Sequence, residues 1–262
     1  MTAAAPVDPV RETRVEAMAV RVFPTEAALG DAAAEHAANV IRGAIDRVGE
    51  AHVMFASGNS QLAFLGALRA HPDVDWPRVV GFHMDEYLGM SAEHPASFRR
   101  YMREQLTKYV RPHAFHEIHG DARNGDEECA RYAELLRQRP LDLCCLGIGE
   151  NGHLAFNDPP VADFNDPLDV KVVPLDDACR AQQVGEGHFA TFEAVPTHAL
   201  TVTIPALLRA PVVLAIAPEA RKHDIVGAAL TVPVSTECPA SVLRTHDHVT
   251  LYLDAASGRG VA

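Results

Sequence analysis

Positive charge is scarce in this chain: 23 Lys and Arg face 35 Asp and Glu, a formal net charge of -12. Affinity for nucleic-acid backbones comes mostly from clustered basic residues, so the balance argues against such a partner. A small anion stays open as a ligand wherever a few bases converge. Cysteine is also sparse. Cys129, Cys144, Cys145, Cys179 and Cys238 are odd in number and show no CxxC spacing, which speaks against a disulfide framework or a zinc site and for reduced, mostly buried thiols. No apolar run approaches the ~20 residues a membrane span needs, and the opening stretch MTAAAPVDPVRETRVEAMAV lacks a basic start followed by an unbroken apolar segment. The expectation is a soluble, cytoplasmic protein. A GxxxxGK[ST] phosphate loop is missing too, so a nucleoside triphosphate is not indicated. Internal repeats, low-complexity segments and a domain linker are likewise not seen.

What is present is an alternation. The chain has 262 residues, 48% of them hydrophobic, enough for one large core. The sequence predicts a single domain over 1–262, with residues 1–16 as a flexible tail. AMAVRVF reads as a strand, and TEAALGDAAAEHAANVIRGAIDRV as a long helix with Thr25 at its N-cap. HVMFA leads through SGNS into the helical QLAFLGALRA. RVVGFHM ends at DEY before a helix from roughly Ala96 to Val110, and LDLCCLG runs into GIGENGHLAFNDP. HALTVTI, PVVLAIA with EARKHDIVGAAL behind it, and HVTLYLD follow. Apolar strands alternating with helices predict a Rossmann-like α/β fold: a mostly parallel sheet with helices on both faces. The Asp- and Pro-rich stretch from Pro159 to Gln183 reads as an excursion over the site.

In such a fold ligands gather beyond the carboxyl ends of the strands, and the chemically suggestive residues all fall there. In SGNS, Gly58 allows a tight turn, Ser57 and Ser60 offer hydroxyls beside Asn59, and the helix that follows presents free N–H groups to a phosphate. The segment alone reads better as an ordinary turn capped by Asn59 or Ser60. In HMDEY, neighbouring side chains on an extended chain point to opposite sides, so one of Asp85 and Glu86 faces a ligand and the other is structural. A carboxylate withdrawn from water can move a proton near neutral pH. The glycine-rich loop places His153 five residues before Asp158, with Gly152 permitting the bend and Asn151 adding a hydrogen-bonding amide. Lys222 lies just past another strand. Taken singly, Asp85 could merely cap a turn, Asp158 could belong to a plain Asp-Pro turn, and Lys222 could be a solvated helix-start cation.

FASGNSQLAFLGAL, VVGFHMDEYLGMSAEHPASFRRYM, LCCLGIGENGHLAFNDPP and ALTVTIPALLRAPVVLAIAPEARKHDI together resemble, in order, the glucosamine-6-phosphate deaminase family, which is related to the 6-phosphogluconolactonases. The likeness runs from about residue 50 onward, and MDEYLG and GHLAFND are its specific stretches. The lactonases typically follow Gly-His with Thr and lack MDEYLG.

The resemblance implies a reaction in which glucosamine 6-phosphate opens its ring, isomerises from aldose to ketose and releases ammonia, leaving fructose 6-phosphate. It implies no metal or organic cofactor, and a small amino-sugar phosphate as partner; a homo-oligomer is left open. By the same resemblance Asp85 is the proton-transfer base and His153 the ring-opening histidine. Asp158 and Asn151 join the catalytic group. Ser57, Gly58, Asn59, Ser60 and Lys222 match the phosphate-binding segments, with Arg180 as a second phosphate contact and Glu86 and Gly152 on the substrate side. Three spellings depart from the common pattern: Asp158 where many members have Glu, Asn151 where some have Asp, and Asn59 where a second glycine is usual. They leave the sugar open between glucosamine 6-phosphate, galactosamine 6-phosphate and a relative. A lactonase-type hydrolase and a non-catalytic sugar-phosphate sensor are the alternatives.

Overall fold

The computed structural model describes residues 8–261. The chain starts with a hairpin, β1 (Arg11–Val15) and β2 (Met18–Phe23), and then forms α1 (Glu26–Val48), β3 (Ala51–Phe55), α2 (Leu62–Ala70), β4 (Val79–His83) and β5 (Asp85–Tyr87). After these come α3 (Phe98–Met102), β6 (Ala114–His116), α4 (Gly125–Gln138), β7 (Leu143–Leu146), β8 (Val170–Pro174) and α5 (Asp177–Gly185). The last elements are β9 (His198–Val202), α6 (Ile204–Leu208), β10 (Val213–Ile216), α7 (His223–Thr231) and β11 (Val249–Asp254).

Eight strands form the main sheet in the order β1-β2-β11-β10-β7-β3-β4-β6. Every neighbouring pair is parallel except the β1–β2 hairpin. Its central strands β7 and β10 read as unbroken apolar runs because both faces are covered. α1 and α2 pack on one face over Phe55, Phe64 and Ile41, while Leu146, Leu207 and Val226 lie in the core on the other. Each fully buried side chain of this size contributes ~1.5–3 kcal/mol. α1 shows how the local sequence fits. Thr25 accepts a hydrogen bond from the Ala28 amide, small residues at 33, 37, 38 and 44 let the helix lie close, and Gly49 ends it in the left-handed region.

A second, antiparallel sheet of order β5-β9-β8 stands beside the ends of the first. It corrects several expectations. DEY is itself a strand, paired Asp85 to Thr201 with β9, so HALTVTI does not extend the parallel sheet. The Pro159–Gln183 excursion contains β8 and most of α5. Residues 1–16 are not simply a tail, since Arg11–Val15 hydrogen-bond along β2; residues 1–7 lie outside the described part. The helix expected from Ala96 starts at Phe98, because Ser97 caps it, and widens into π-type turns over Arg103–Thr107.

Candidate active site

One cavity opens where β3, β4, β7 and β10 end, and its wall includes Ser57, Gly58, Asn59, Ser60, Asp85, His153 and Lys222. The fold brings these together from four segments because parallel strands all discharge their following loops at one end.

Gly58 takes φ +107, a backbone state that disfavours any side chain. The turn it makes starts a short 3-10 segment, Asn59–Gln61, that passes into α2. Neither start has a side-chain cap, so the ordinary capped-turn alternative does not describe this segment. The first N–H groups are left to an outside acceptor. Lys222, which lines the same cavity, is 3% exposed and has no ion-pair partner among the described residues, although its neighbour Arg221 gathers Glu150, Glu186 and Glu219. Burial, with the adjacent Arg221, holds the Lys222 ammonium below its ordinary pKa. α7 also starts without a side-chain cap at Lys222.

Asp85 is delivered where the chain leaves the main sheet at His83 and enters the second sheet two residues later. Its Oδ1 is buried with no hydrogen-bond partner, and burial, reinforced by the Glu86 carboxylate, pushes its pKa up to about 8. The next residue is treated oppositely. Glu86 turns away from the cavity, accepts hydrogen bonds from the Ser97 hydroxyl (2.6 Å) and from the amides of Tyr87, Phe98 and Arg99, and lies 3.5 Å from the Arg99 guanidinium. It anchors the start of α3, and its expected place on the substrate side does not match this geometry.

His153 approaches Asp158 to 2.8 Å through Nδ1, a close contact without hydrogen-bond alignment. Asn151 donates to Asp158 Oδ1 at 2.9 Å and to Asp176 at 3.2 Å, and its own oxygen accepts the His153 amide at 3.0 Å. Burial alone would raise the Asp158 pKa, yet the His153 contact and the Asn151 bond hold it below the ordinary carboxylate value. Asp158 and Asn151 thus stand behind His153 instead of on the cavity wall. The loop's glycines have separate reasons. A Cβ on Gly149 would lie 2.2 Å from His153 Nε2, so the ring can sit there only over a glycine. Gly152 adopts φ +87 and packs against Cys238, which makes it a turn residue behind the wall. Asn157 ties the loop down through Leu154 and Val202 carbonyls.

Arg180 is also placed away from the cavity. It donates to the Phe192 and Val195 carbonyls at 2.9 and 3.1 Å, lies over the Phe192 ring and has the Asp177 carboxylate of α5 3.8 Å away, so its guanidinium is engaged within the protein. His153, Asp158 and Cys179 bring one nitrogen, oxygen and sulfur within 4.8 Å of one another. Burial raises the Cys179 thiol strongly, so it is no thiolate, and neither Cys179 nor Asp158 lines the cavity; the trio does not offer a ready metal centre. The sequence reading missed the α5 side of the wall: Gln182, Gln183, Glu186 and His188. Burial opposes charge on Glu186, but hydrogen bonds from His188, Arg221 and Gln182 bring its pKa down to about 2. The only hint in sequence is that this polar run ends the excursion expected to lie over the site.

Fold and site together define an α/β protein whose polar cavity, at the carboxyl ends of parallel strands, is walled by a buried lysine and a buried carboxyl. The chain belongs to the family described as glucosamine-6-phosphate isomerases/6-phosphogluconolactonase, whose model matches residues 24–252. Among its relatives, a glucosamine-6-phosphate deaminase of Bacillus cereus is 37% identical over 199 residues, 76% of this chain and 74% of the relative. One from Listeria monocytogenes is 36% identical over 209 residues, 79% and 86% of the two chains. A solved monomeric glucosamine-6-phosphate deaminase superposes with a TM-score of 0.83 at 27% identity, covering 91% of this chain and 98% of that one. A 6-phosphogluconolactonase from Shewanella baltica reaches 0.74 at 18% identity over 92% and 99%, and so shares the fold.

Proposed function

We propose that this site deaminates glucosamine 6-phosphate, giving fructose 6-phosphate and ammonia, and that the chain serves amino-sugar breakdown in the cytoplasm. The observation that carries the reading is the buried, unpaired Lys222 on the same cavity wall as an uncapped helix start, a pairing that calls for an anion such as a phosphate. Lys222 with the Ser57–Ser60 turn holds the phosphate. His153, oriented through Asp158 and Asn151, assists opening of the pyranose. Asp85 then moves a proton between carbon 2 and carbon 1 through an enolamine, and water releases ammonia from the resulting ketimine. A carboxyl with a pKa near 8 suits that task, since proton shuttling is most efficient when the group titrates near working pH. The names of the curated relatives and of the monomeric structure support the same reaction.

The test is ammonia release from a panel of amino-sugar 6-phosphates, with 6-phosphogluconolactone hydrolysis run alongside. Ammonia from glucosamine 6-phosphate is the expected result. Lactone hydrolysis without ammonia would replace the reading with a lactonase, and tight binding without turnover of any compound would replace it with a sensor.

A further inference from the structure

On the α5 side of the cavity, Gln183 is 6% exposed and lines the wall. Its Oε1 lies 2.7 Å from the hydroxyl of Tyr87, a fully buried residue of β5. That contact decides which way the amide faces. The Tyr87 hydroxyl has no other hydrogen-bond partner among the described residues, and burial raises its pKa well above the ordinary phenol value, so it keeps its proton. If the amide were turned, that proton would be buried without an acceptor, which costs more than an unused lone pair on the phenol oxygen. Oε1 therefore takes the tyrosine proton and Nε2 is directed to the open side. No protein acceptor meets Nε2 among the described residues, yet it is not among the sealed polar atoms. Its neighbour Gln182 differs, with both ends engaged by the Glu150 amide and Glu186.

We infer that Gln183 is a specificity-determining residue, its tyrosine-fixed amide donating to the sugar hydroxyl on carbon 3 or carbon 4, between the reacting end and the phosphate. The inference rests on the proposed deaminase reading, which puts the reacting carbons at Asp85 and His153 and the phosphate at Lys222. It also says why the family pattern leaves the sugar undecided: discrimination comes from a segment outside the MDEYLG and GHLAFND motifs. A pocket that hydrogen-bonds a hydroxyl rejects the analogue lacking it, because its own donor is then stranded.

The experiment compares wild type with Gln183→Leu on glucosamine 6-phosphate and on its 3-deoxy and 4-deoxy analogues, following ammonia. On the parent sugar kcat/KM should fall about 10- to 100-fold. On one of the two analogues the difference between wild type and variant should nearly vanish, which a general loosening of the fold would not produce. Because Gln183→Leu strands the buried Tyr87 hydroxyl, the double variant Tyr87→Phe, Gln183→Leu replaces both polar partners and should show the same pattern with stability recovered. An equal loss on all three compounds, or no loss on the parent, overturns the inference. Wild type that releases no ammonia from glucosamine 6-phosphate would instead remove the underlying deaminase reading.

Discussion

The starts of α2 and α7 at the cavity are finished differently from those of α1, α4 and α5, although α3 starts at the wall residue Phe98 with Ser97 as its cap and α6 starts away from the cavity, with Pro205 in its first turn, without one. α1, α4 and α5 have Thr25, Asn124 and Asp176 accepting from their first free amides. α2 and α7, which start at the cavity wall, have no side-chain cap. The same division runs through the two adjacent carboxylates. Glu86 is satisfied by four protein donors, whereas Asp85 keeps a buried oxygen without one. Groups left unpaired in a folded chain cost stability unless a ligand completes them, so the contrast separates the part of the molecule that holds itself together from the part kept open for substrate.

Three substitutions would sharpen or break that contrast. The largest effect should come from Asp85→Asn, which keeps the shape and loses the base: kcat should fall ~10²–10⁴-fold, while ligand-binding titrations change little. Wild-type kcat/KM should climb with pH as Asp85 deprotonates near pH 8. Stability should move the other way. The native state holds this proton more tightly than the unfolded chain, so Asp85 makes stability decline between 3.8 and about 8. Thermal melts at pH 9 should therefore show Asp85→Asn more stable than wild type, and a less stable variant would contradict the unpaired carboxyl. Lys222→Ala comes next. Loss of a charge-assisted phosphate contact should cost ~1.5–3 kcal/mol, mostly as a raised KM; an unchanged KM would mean that the phosphate lies elsewhere. The smallest effect belongs to Asn124→Ala at the start of α4, expected to lower unfolding free energy by ~1 kcal/mol. Steady-state kinetics should be unchanged, and a kinetic defect there would blur the line between the two regions.

How legible this was from sequence depends on whether a residue's role is local. Gly58, the Ser57–Ser60 turn and His153 follow strand ends, so the strand–loop–helix rhythm suffices to place them. α4 had a readable pattern as well, with Asn124 as cap and Cys129, Tyr132, Ala133 and Leu136 spaced along one buried face, but the sequence reading passed over it. Which of Asp85 and Glu86 faces the cavity is not local. It is decided by β5 pairing with β9, more than a hundred residues on. The resemblance offers Arg180 as a phosphate contact, whereas the carbonyls of Phe192 and Val195 that occupy it belong to an irregular loop with no sequence signal. Gln183 was silent for a related reason, as its orientation depends on Tyr87 across the second sheet.

The opening hairpin gives the main sheet its outer border. β1 reads Arg-Glu-Thr-Arg-Val, largely solvated, while the strand it covers, β2, is six residues of mostly buried Met, Val and Phe. An uncovered apolar strand is a template on which a second chain can add its own backbone, and charged edge strands are a common guard against it. The opposite border is blunted differently, by β6 having only three residues. The segment that looks dispensable by composition therefore covers the edge of β2, and any shortened form of this chain has to be judged by the edge it would leave bare.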